Sequence, residues 1–357
     1  MRVCIIGSNL SDLTLAKTLV NQNIYVDLIS LNKNQKVNKS RTIGITKSNF
    51  EFFNKKIINI EKIITKINKI EIYSDNLKNE RILNFQNNGE QLFSIIKNFN
   101  LHQILNKSLF NSRYYKKKNF GIGSIKFDEY NLIINSDYTS FFTKKYFNKK
   151  IVKSYNSQAY STIINHEKVS NDIAVQIFTK KGPLAFLPIS NIQTSVVYSI
   201  RDLKNFKKEN LSDLIFKYNL KYKIKKIQNI EAFELKSLIL RSYYHDNVLA
   251  FGDLLHRIHP LAGQGFNMTI RDIETLLNII KESLSLGLPL DSSINTQFEK
   301  KIRHKNYLFS SGVDLIYEFF NFERKINNKF LSKSIQFIGK NSSFNKIITK
   351  IADRGIV

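Results

Sequence analysis

The chain opens on a strand, a glycine turn, a helix and a second strand, and few folds accept that order. Arg2 to Gly7 is a short run built on Val3-Cys4-Ile5-Ile6 that ends at a glycine. Leu13, Ala16 and Val20 follow at helical spacing, and Tyr25 to Ile29 is again mostly apolar. Parallel neighbours need a crossover connection, so this βαβ unit predicts an α/β sheet. Residues 62 to 85 are strand-like in part, with alternation clearest at Ile70, Glu71 and Ile72. Gly89 to Leu105 predicts a helix with Leu92, Ile95, Ile96 and Phe99 on one face. Phe120 to Ser136 predicts a hairpin that leads into a buried strand at Leu132-Ile133-Ile134.

From Ser157 to Ile200 the pattern turns to period two, with turn signals at Asn171-Asp172 and Lys181-Gly182-Pro183. That predicts a meandering antiparallel sheet. Val248 to Phe251 is another apolar strand before Gly252, Asn267 to Ser283 predicts a long helix, and the chain beyond Asp291 is helix-rich. A second domain inserted within a nucleotide-binding domain explains the order. The expected division is a discontinuous nucleotide-binding domain of residues 1–61, 84–150 and 233–290, a β-sheet domain of residues 62–83 and 151–232, and a helical region of residues 291–357.

Composition narrows the setting. Over 357 residues, 42% hydrophobic content suits a folded globular chain. Cys4 is the single cysteine, so no internal disulfide forms and a reducing compartment fits. Met1 runs straight into the first strand with no basic leader, and no run of 18 apolar residues occurs. A cytoplasmic location is expected. The formal charge of +26 would suit an anionic membrane. Lys, Asn and Ile crowd every region, however, and no basic stripe with interleaved aromatics stands out, so nucleic acid is not expected as a partner.

The densest cluster of special residues is Gly252-Asp253-Leu254-Leu255-His256-Arg257-Ile258-His259-Pro260-Leu261-Ala262-Gly263-Gln264-Gly265-Phe266-Asn267, which leads to Arg271-Asp272. It holds three of the thirteen glycines and one of the four prolines, too many special residues for an ordinary turn. It reads as a strand end, an acidic turn, a rigid proline, a glycine pair and a helix start. Glycines let backbone amides approach a ligand, and a helix N-terminus favours an electron-rich group. The plainer reading is a tight strand-to-helix turn capped by Asn267 or Thr269. His256 and His259 sit three apart, but a zinc site wants further Cys or His nearby and none follows. No metal site is expected.

This string resembles the second FAD-binding motif of the class A flavoprotein monooxygenases, most closely the ubiquinone-biosynthesis hydroxylases. Phe178 to Pro188 resembles that family's substrate-sheet stretch, and Arg41 to Phe53 its Arg-led strand and Ser48-containing helix. The resemblance implies a Rossmann-like FAD/NAD(P)-binding domain with an inserted antiparallel substrate sheet and C-terminal helices. It implies that Asp253 contacts the ribityl or pyrophosphate part of FAD, and that Pro260 lies near the flavin ring. The Gly263-Gln264-Gly265 backbone would face the pyrimidine end, Asn267 would hold that loop, and Arg41 would sit near the flavin or pyrophosphate. Gly7 and Asn9 stand at the first and second glycine positions of the dinucleotide fingerprint. In this family reduced flavin reacts with dioxygen, and a flavin hydroperoxide hydroxylates an electron-rich phenol ring. No side chain is singled out as acid or base, because the cofactor carries the chemistry. The implied substrate is a polyprenylated phenol or quinol. Electrons would come from NAD(P)H or a separate reductase.

The chain departs from the pattern on the adenosine side. Asp12 stands where the third fingerprint glycine belongs, Ser30 replaces the ribose-binding acid, Tyr138 follows Asp137 in place of a glycine, and Phe99 replaces an arginine. Asn9 tolerates a left-handed backbone, so its change is mild. Two readings follow: an active hydroxylase, or a non-catalytic relative serving as a partner in a quinone-synthesis complex. The C-terminal helices carry Leu315-Ile316, Phe319-Phe320, Phe330-Leu331, Ile335, Phe337-Ile338 and Ile347-Ile348 among many lysines. These suit peripheral docking at the inner face of a membrane, or ordinary packing against the core.

Overall fold

A computed structural model describes residues 1–31, 37–77, 80–86, 91–118, 126–201, 210–259, 263–326, 330–339 and 342–355. The chain begins β1 (Arg2–Ile6), α1 (Leu10–Val20), β2 (Tyr25–Ile29), β3 (Thr42–Thr46) and α2 (Lys47–Phe52). It continues through β4 (Ile64–Ile67), β5 (Lys69–Ser74), β6 (Glu80–Gln86), β7 (Phe93–Lys97) and α3 (Asn98–Phe110). Next come β8 (Tyr115–Lys118), β9 (Leu132–Asn135), α4 (Phe141–Tyr146) and the meander β10 (Lys150–His166), β11 (Ile173–Thr179), β12 (Gly182–Ser190) and β13 (Gln193–Arg201). After α5 (Asn210–Tyr218) lie β14 (Ile224–Ile227), β15 (Glu231–Leu240), β16 (Tyr244–His245), β17 (Val248–Ala250) and β18 (His256–Arg257). Four helices close the chain: α6 (Gln264–Ser285), α7 (Ser292–Ile326), α8 (Phe330–Gly339) and α9 (Ser342–Arg354).

The first sheet runs β16-β17-β9-β1-β2-β8. β1 pairs in parallel with β2 and β9, and β8 and β17 extend it in parallel on either side. Its central strands are buried and mostly apolar, Asp27 of β2 being the charged exception. The second sheet runs β18-β15-β10-β13-β12-β11-β5-β6, with β14 also on β10. It is antiparallel except where β11 meets β5. One of its faces buries Tyr160, Ile164, Phe186, Val196 and Tyr198 under α5, so its strands alternate as the period of two predicts. Gly182 opens β12 at φ +142, where a Cβ would lie 1.9 Å from the Ser199 carbonyl oxygen. Only glycine lets these strands approach so closely. A small antiparallel sheet, β3-β7-β4, sits beside the parallel one.

The α/β fold with its inserted antiparallel sheet and C-terminal helices is as expected, with three local differences. The helix expected over Gly89 to Leu105 is β7 followed by α3, and Gly89 itself lies outside the described residues. The run Phe93-Ser94-Ile95-Ile96 is central in the small sheet, buried between β3 and β4, and so short an apolar run fits both periods. The hairpin expected from Phe120 falls partly on residues 119–125, outside those described; Phe127–Glu129 is a single 3-10 turn ahead of β9. The strands also cross the expected domain edges. β6 keeps Asn84 to Gln86 in the large sheet, β15 keeps its whole length there, and β4 pairs with β7 instead.

Candidate functional site

The glycine-rich string lies where the carboxyl ends of β1, β9 and β17 meet the small sheet, the usual ligand position in open α/β sheets. Gly263 is the N-cap of α6 at φ +63, a left-handed conformation that glycine adopts without strain. The cap is therefore this glycine, rather than Asn267 or Thr269. Asn267, in the first turn, is fully buried. Its Oδ1 accepts from the Thr46 amide at 3.0 Å and from Asn49 Nδ2 at 2.9 Å. Its Nδ2 donates to the carbonyls of Gly44 at 3.0 Å and Gly263 at 3.2 Å. All four hydrogen-bonding positions of the amide are thus used to join the β3–α2 turn to α6.

Gly44 of β3 lies so close to Phe93 that a Cβ would fall 1.8 Å from the ring. A Cβ on Gly265, by contrast, would meet nothing within 4 Å. Beside it, Gln264 Oε1 is buried without a hydrogen-bond partner. An open approach to backbone next to an unsatisfied acceptor suits a polar, planar ligand edge. Pro260 lies outside the described residues. Arg41 is exposed one residue before β3, about 10 Å along the strand from Gly44. Asp253 follows Gly252 in a single 3-10 turn and is exposed, so its carboxylate is free to meet a ligand. The Tyr138 hydroxyl donates to the Asp253 carbonyl, and Arg257 Nη2 donates to Tyr138 at 2.8 Å.

The β1–α1 turn differs from the expectation. Asn9 is extended at φ −75, so its tolerance of a left-handed backbone is not used. Gly7, at φ +148, lies against Asp12: a Cβ there would fall 2.4 Å from Asp12 Oδ2 and 2.2 Å from Ser136 Oγ. Asp12 Oδ2 accepts the Asn9 amide at 2.8 Å, closing a capping box at the start of α1. Burial pushes the Asp12 carboxyl up to about 7; Asp253 and Asp137 add to this, against hydrogen bonds from Ser136 and Asn9. Ser30 is buried at the end of β2, and the Phe99 ring carries Lys39 Nζ over its face at 5.4 Å.

A second group of side chains was not legible in the sequence. His259 is buried with both ring nitrogens unpartnered, and burial pushes it down to about 3. It stacks on Tyr317 at 4.0 Å and meets the edge of Tyr155 at 5.0 Å. Arg201 Nε donates to the Tyr317 hydroxyl at 2.6 Å, and Tyr155 donates to Asp314. These residues come from β10, β13 and α7, which no local spacing connects. His256 is tied differently, to Asp272 of α6 at 2.5 Å, and Asn306 of α7 holds the other oxygen of that carboxylate. The two histidines therefore serve separate contacts. From the C-terminus, Asp353 Oδ1 accepts the Ser48 amide at 2.9 Å, and the Asp353 carbonyl accepts from Thr46 Oγ1 and Ser48 Oγ. α9 thus braces the same β3–α2 turn that Asn267 holds.

Known proteins share both sequence and fold with this chain. Residues 151–286 match the FAD binding domain family. The 3-demethoxyubiquinol 3-hydroxylase of Escherichia coli is 31% identical over 164 residues, 43% of this chain and 41% of that protein. The mitochondrial ubiquinone biosynthesis monooxygenase COQ6 of Schizosaccharomyces pombe is 22% identical over 230 residues, 52% of this chain and 48% of that one. The chain thus spans less than half the length of these curated relatives. Among solved structures, p-nitrophenol 4-monooxygenase PnpA of Pseudomonas putida superposes with a TM-score of 0.80 at 11% identity, covering 99% of this chain and 98% of that one. HpxO of Klebsiella pneumoniae, complexed with FAD and uric acid, superposes with a TM-score of 0.76 at 10% identity, covering 99% and 96%. The chain thus carries a match to the FAD binding domain family over residues 151–286, is similar in sequence to ubiquinone-biosynthesis hydroxylases, and shares its fold with FAD-dependent monooxygenases.

Proposed function

We propose that the chain is an FAD-dependent monooxygenase that hydroxylates the ring of a polyprenylated phenol in ubiquinone biosynthesis. The observation that carries the reading is the turn fixed by Asn267, with Gly265 open to approach and Gln264 Oε1 left unsatisfied beside it. Bound FAD would supply the redox chemistry that activates dioxygen. The chain's own residues do the rest. Gly263, Gln264 and Gly265 present backbone to the flavin ring, and Asn267 keeps that loop rigid. Asp253 reaches the ribityl hydroxyls, while Gly7 and Asn9 stand at the pyrophosphate side. Pro260 would lie against the ring, and Arg41 would guard the approach along β3.

His259, Tyr155 and Tyr317 pack on one another as a buried aromatic cluster, and they would form one wall of the site for a phenolic ring. NAD(P)H or a separate reductase would supply the electrons. Among the described residues no helix is long and apolar enough to cross a membrane. The exposed apolar side chains of α7, α8 and α9 would instead rest on the bilayer that holds the substrate, alone or within a complex of quinone-synthesis enzymes.

The test is reconstitution. Purified protein with FAD should show bound-flavin absorbance and, with NAD(P)H and isotopically labelled dioxygen, place one labelled oxygen on a short-chain prenylphenol. A colourless protein that ignores added FAD sinks the reading and leaves the fold as a partner without a redox centre.

A further inference from the structure

We propose that the Asp12 carboxylate stands beside the place of the dinucleotide's pyrophosphate, so that the chain takes up FAD together with a proton. This rests on the flavin reading above and deepens it. A helix start binds phosphate because its first amides are free and its dipole favours negative charge. In α1 the Asp12 carboxylate, in the first turn, already sits at that end. Asp12 Oδ2 takes the Asn9 amide at 2.8 Å and lies over Gly7, in the space a fingerprint glycine leaves open. Asp12 is fully buried, and its Oδ1 has no hydrogen-bond partner. An ionised carboxylate with one oxygen unsatisfied in a buried setting is costly, so a proton there is readily held.

Burial sets the direction, and the groups facing Asp12 adjust it. Asp253, in the 3-10 turn after β17, and Asp137, after β9, both disfavour its ionised form. His102 of α3 reaches the Ser8 backbone, and burial keeps that imidazole below its ordinary range. The Ser136 hydroxyl and the Asn9 amide favour the carboxylate. An ionised Asp12 about 4 Å from a phosphate charge would cost roughly a thousandfold in affinity. Protonation removes that cost. The free protein's carboxyl titrates at about 7, and a bound pyrophosphate would raise it further. Affinity is therefore full below about 7 and falls by up to about tenfold per pH unit above it, until the pKa of the complex is passed. His102 titrates below this window.

Flavin fluorescence quenching measures the effect directly, and the chain has no tryptophan to confuse it. Apo-protein is titrated with FAD, and with riboflavin, which carries no phosphate, between about pH 6.5 and 8.5. For the wild type, FAD binding should weaken at least tenfold across the range while riboflavin binding stays level. Asp12→Asn keeps an acceptor for the Asn9 amide but no charge; it should bind FAD at least tenfold more tightly at the high end and lose the slope. Asp12→Gly, which restores the fingerprint glycine, should do the same. FAD binding that is level with pH and no tighter in Asp12→Asn overturns the inference while the flavin reading stands. An equal slope for riboflavin overturns it too. If neither flavin binds any of the three proteins, the flavin reading fails and the inference falls with it.

Discussion

Asn267 shows how one side chain can hold a site in place. Its amide joins two chain segments that lie far apart in sequence, through Thr46, Asn49, Gly44 and Gly263. Asn267→Leu keeps the branched shape and the number of heavy atoms but leaves the Thr46 N–H and the Gly44 carbonyl unpaired, at about 1–3 kcal/mol for each buried group. The urea midpoint should drop accordingly; an unchanged midpoint would mean that water replaces the amide. Cys4 makes a second residue-scale case. It is fully buried, and burial pushes its thiol up to about 12, with Asp27 adding to the shift. Iodoacetamide should leave it untouched in the native protein and label it at once in denaturant, because only the thiolate reacts. Asn267 was legible as a loop residue only through the resemblance that the glycine-rich string carries. Tyr155, Arg201 and Tyr317 were not, since ring packing across the molecule leaves no local spacing to read.

At the scale of elements, the parallel sheet is tied by a buried charge that sequence periodicity does not register. Asp27 of β2 receives Arg2 at 2.7 Å, Lys118 of β8 at 2.8 Å and the Tyr130 hydroxyl at 2.6 Å. Burial alone would raise its carboxyl, but the bonds from Lys118 and Tyr130 and the two cations outweigh that and hold it below the usual range. The sign follows from linkage: the stabilisation is present above the unfolded-state pKa and is lost as pH falls through the folded one. Asp27→Asn should cost about 1–3 kcal/mol at neutral pH, discounted because Arg2 and Lys118 keep partial solvent access. The gap between variant and wild type in denaturant midpoint should close below about pH 4. A gap that persists there would point to packing. The βαβ start and the meander were legible because their periods of 3.6 and 2 run long enough to separate. β7 was not, because so short a run joined to a helix matches either period.

At the scale of the molecule, charge and exposed apolar surface meet on the C-terminal helices. Leu315 on α7 is 71% exposed, Phe337 on α8 78% and Ile347 on α9 58%, a density unusual for an outer surface that contacts only water. Lys333, Lys346 and Lys350 stand exposed among them, on a chain of formal charge +26. Apolar side chains flanked by lysines favour the headgroup boundary of an anionic bilayer. Removing residues 325–357 would be a poor test, since it also removes Asp353 and the bonds it gives Ser48 and Thr46. Substitution on the outer face avoids that loss. The wild type should float with phosphatidylglycerol vesicles and not with phosphatidylcholine, and salt should release it as screening grows. The triple variant Phe337→Ser, Ile347→Ser, Ile351→Ser should keep the native melting temperature and lose most of its flotation. Equal flotation of variant and wild type would show that these side chains do not enter the bilayer, and would leave the excess of lysine as a property of composition alone.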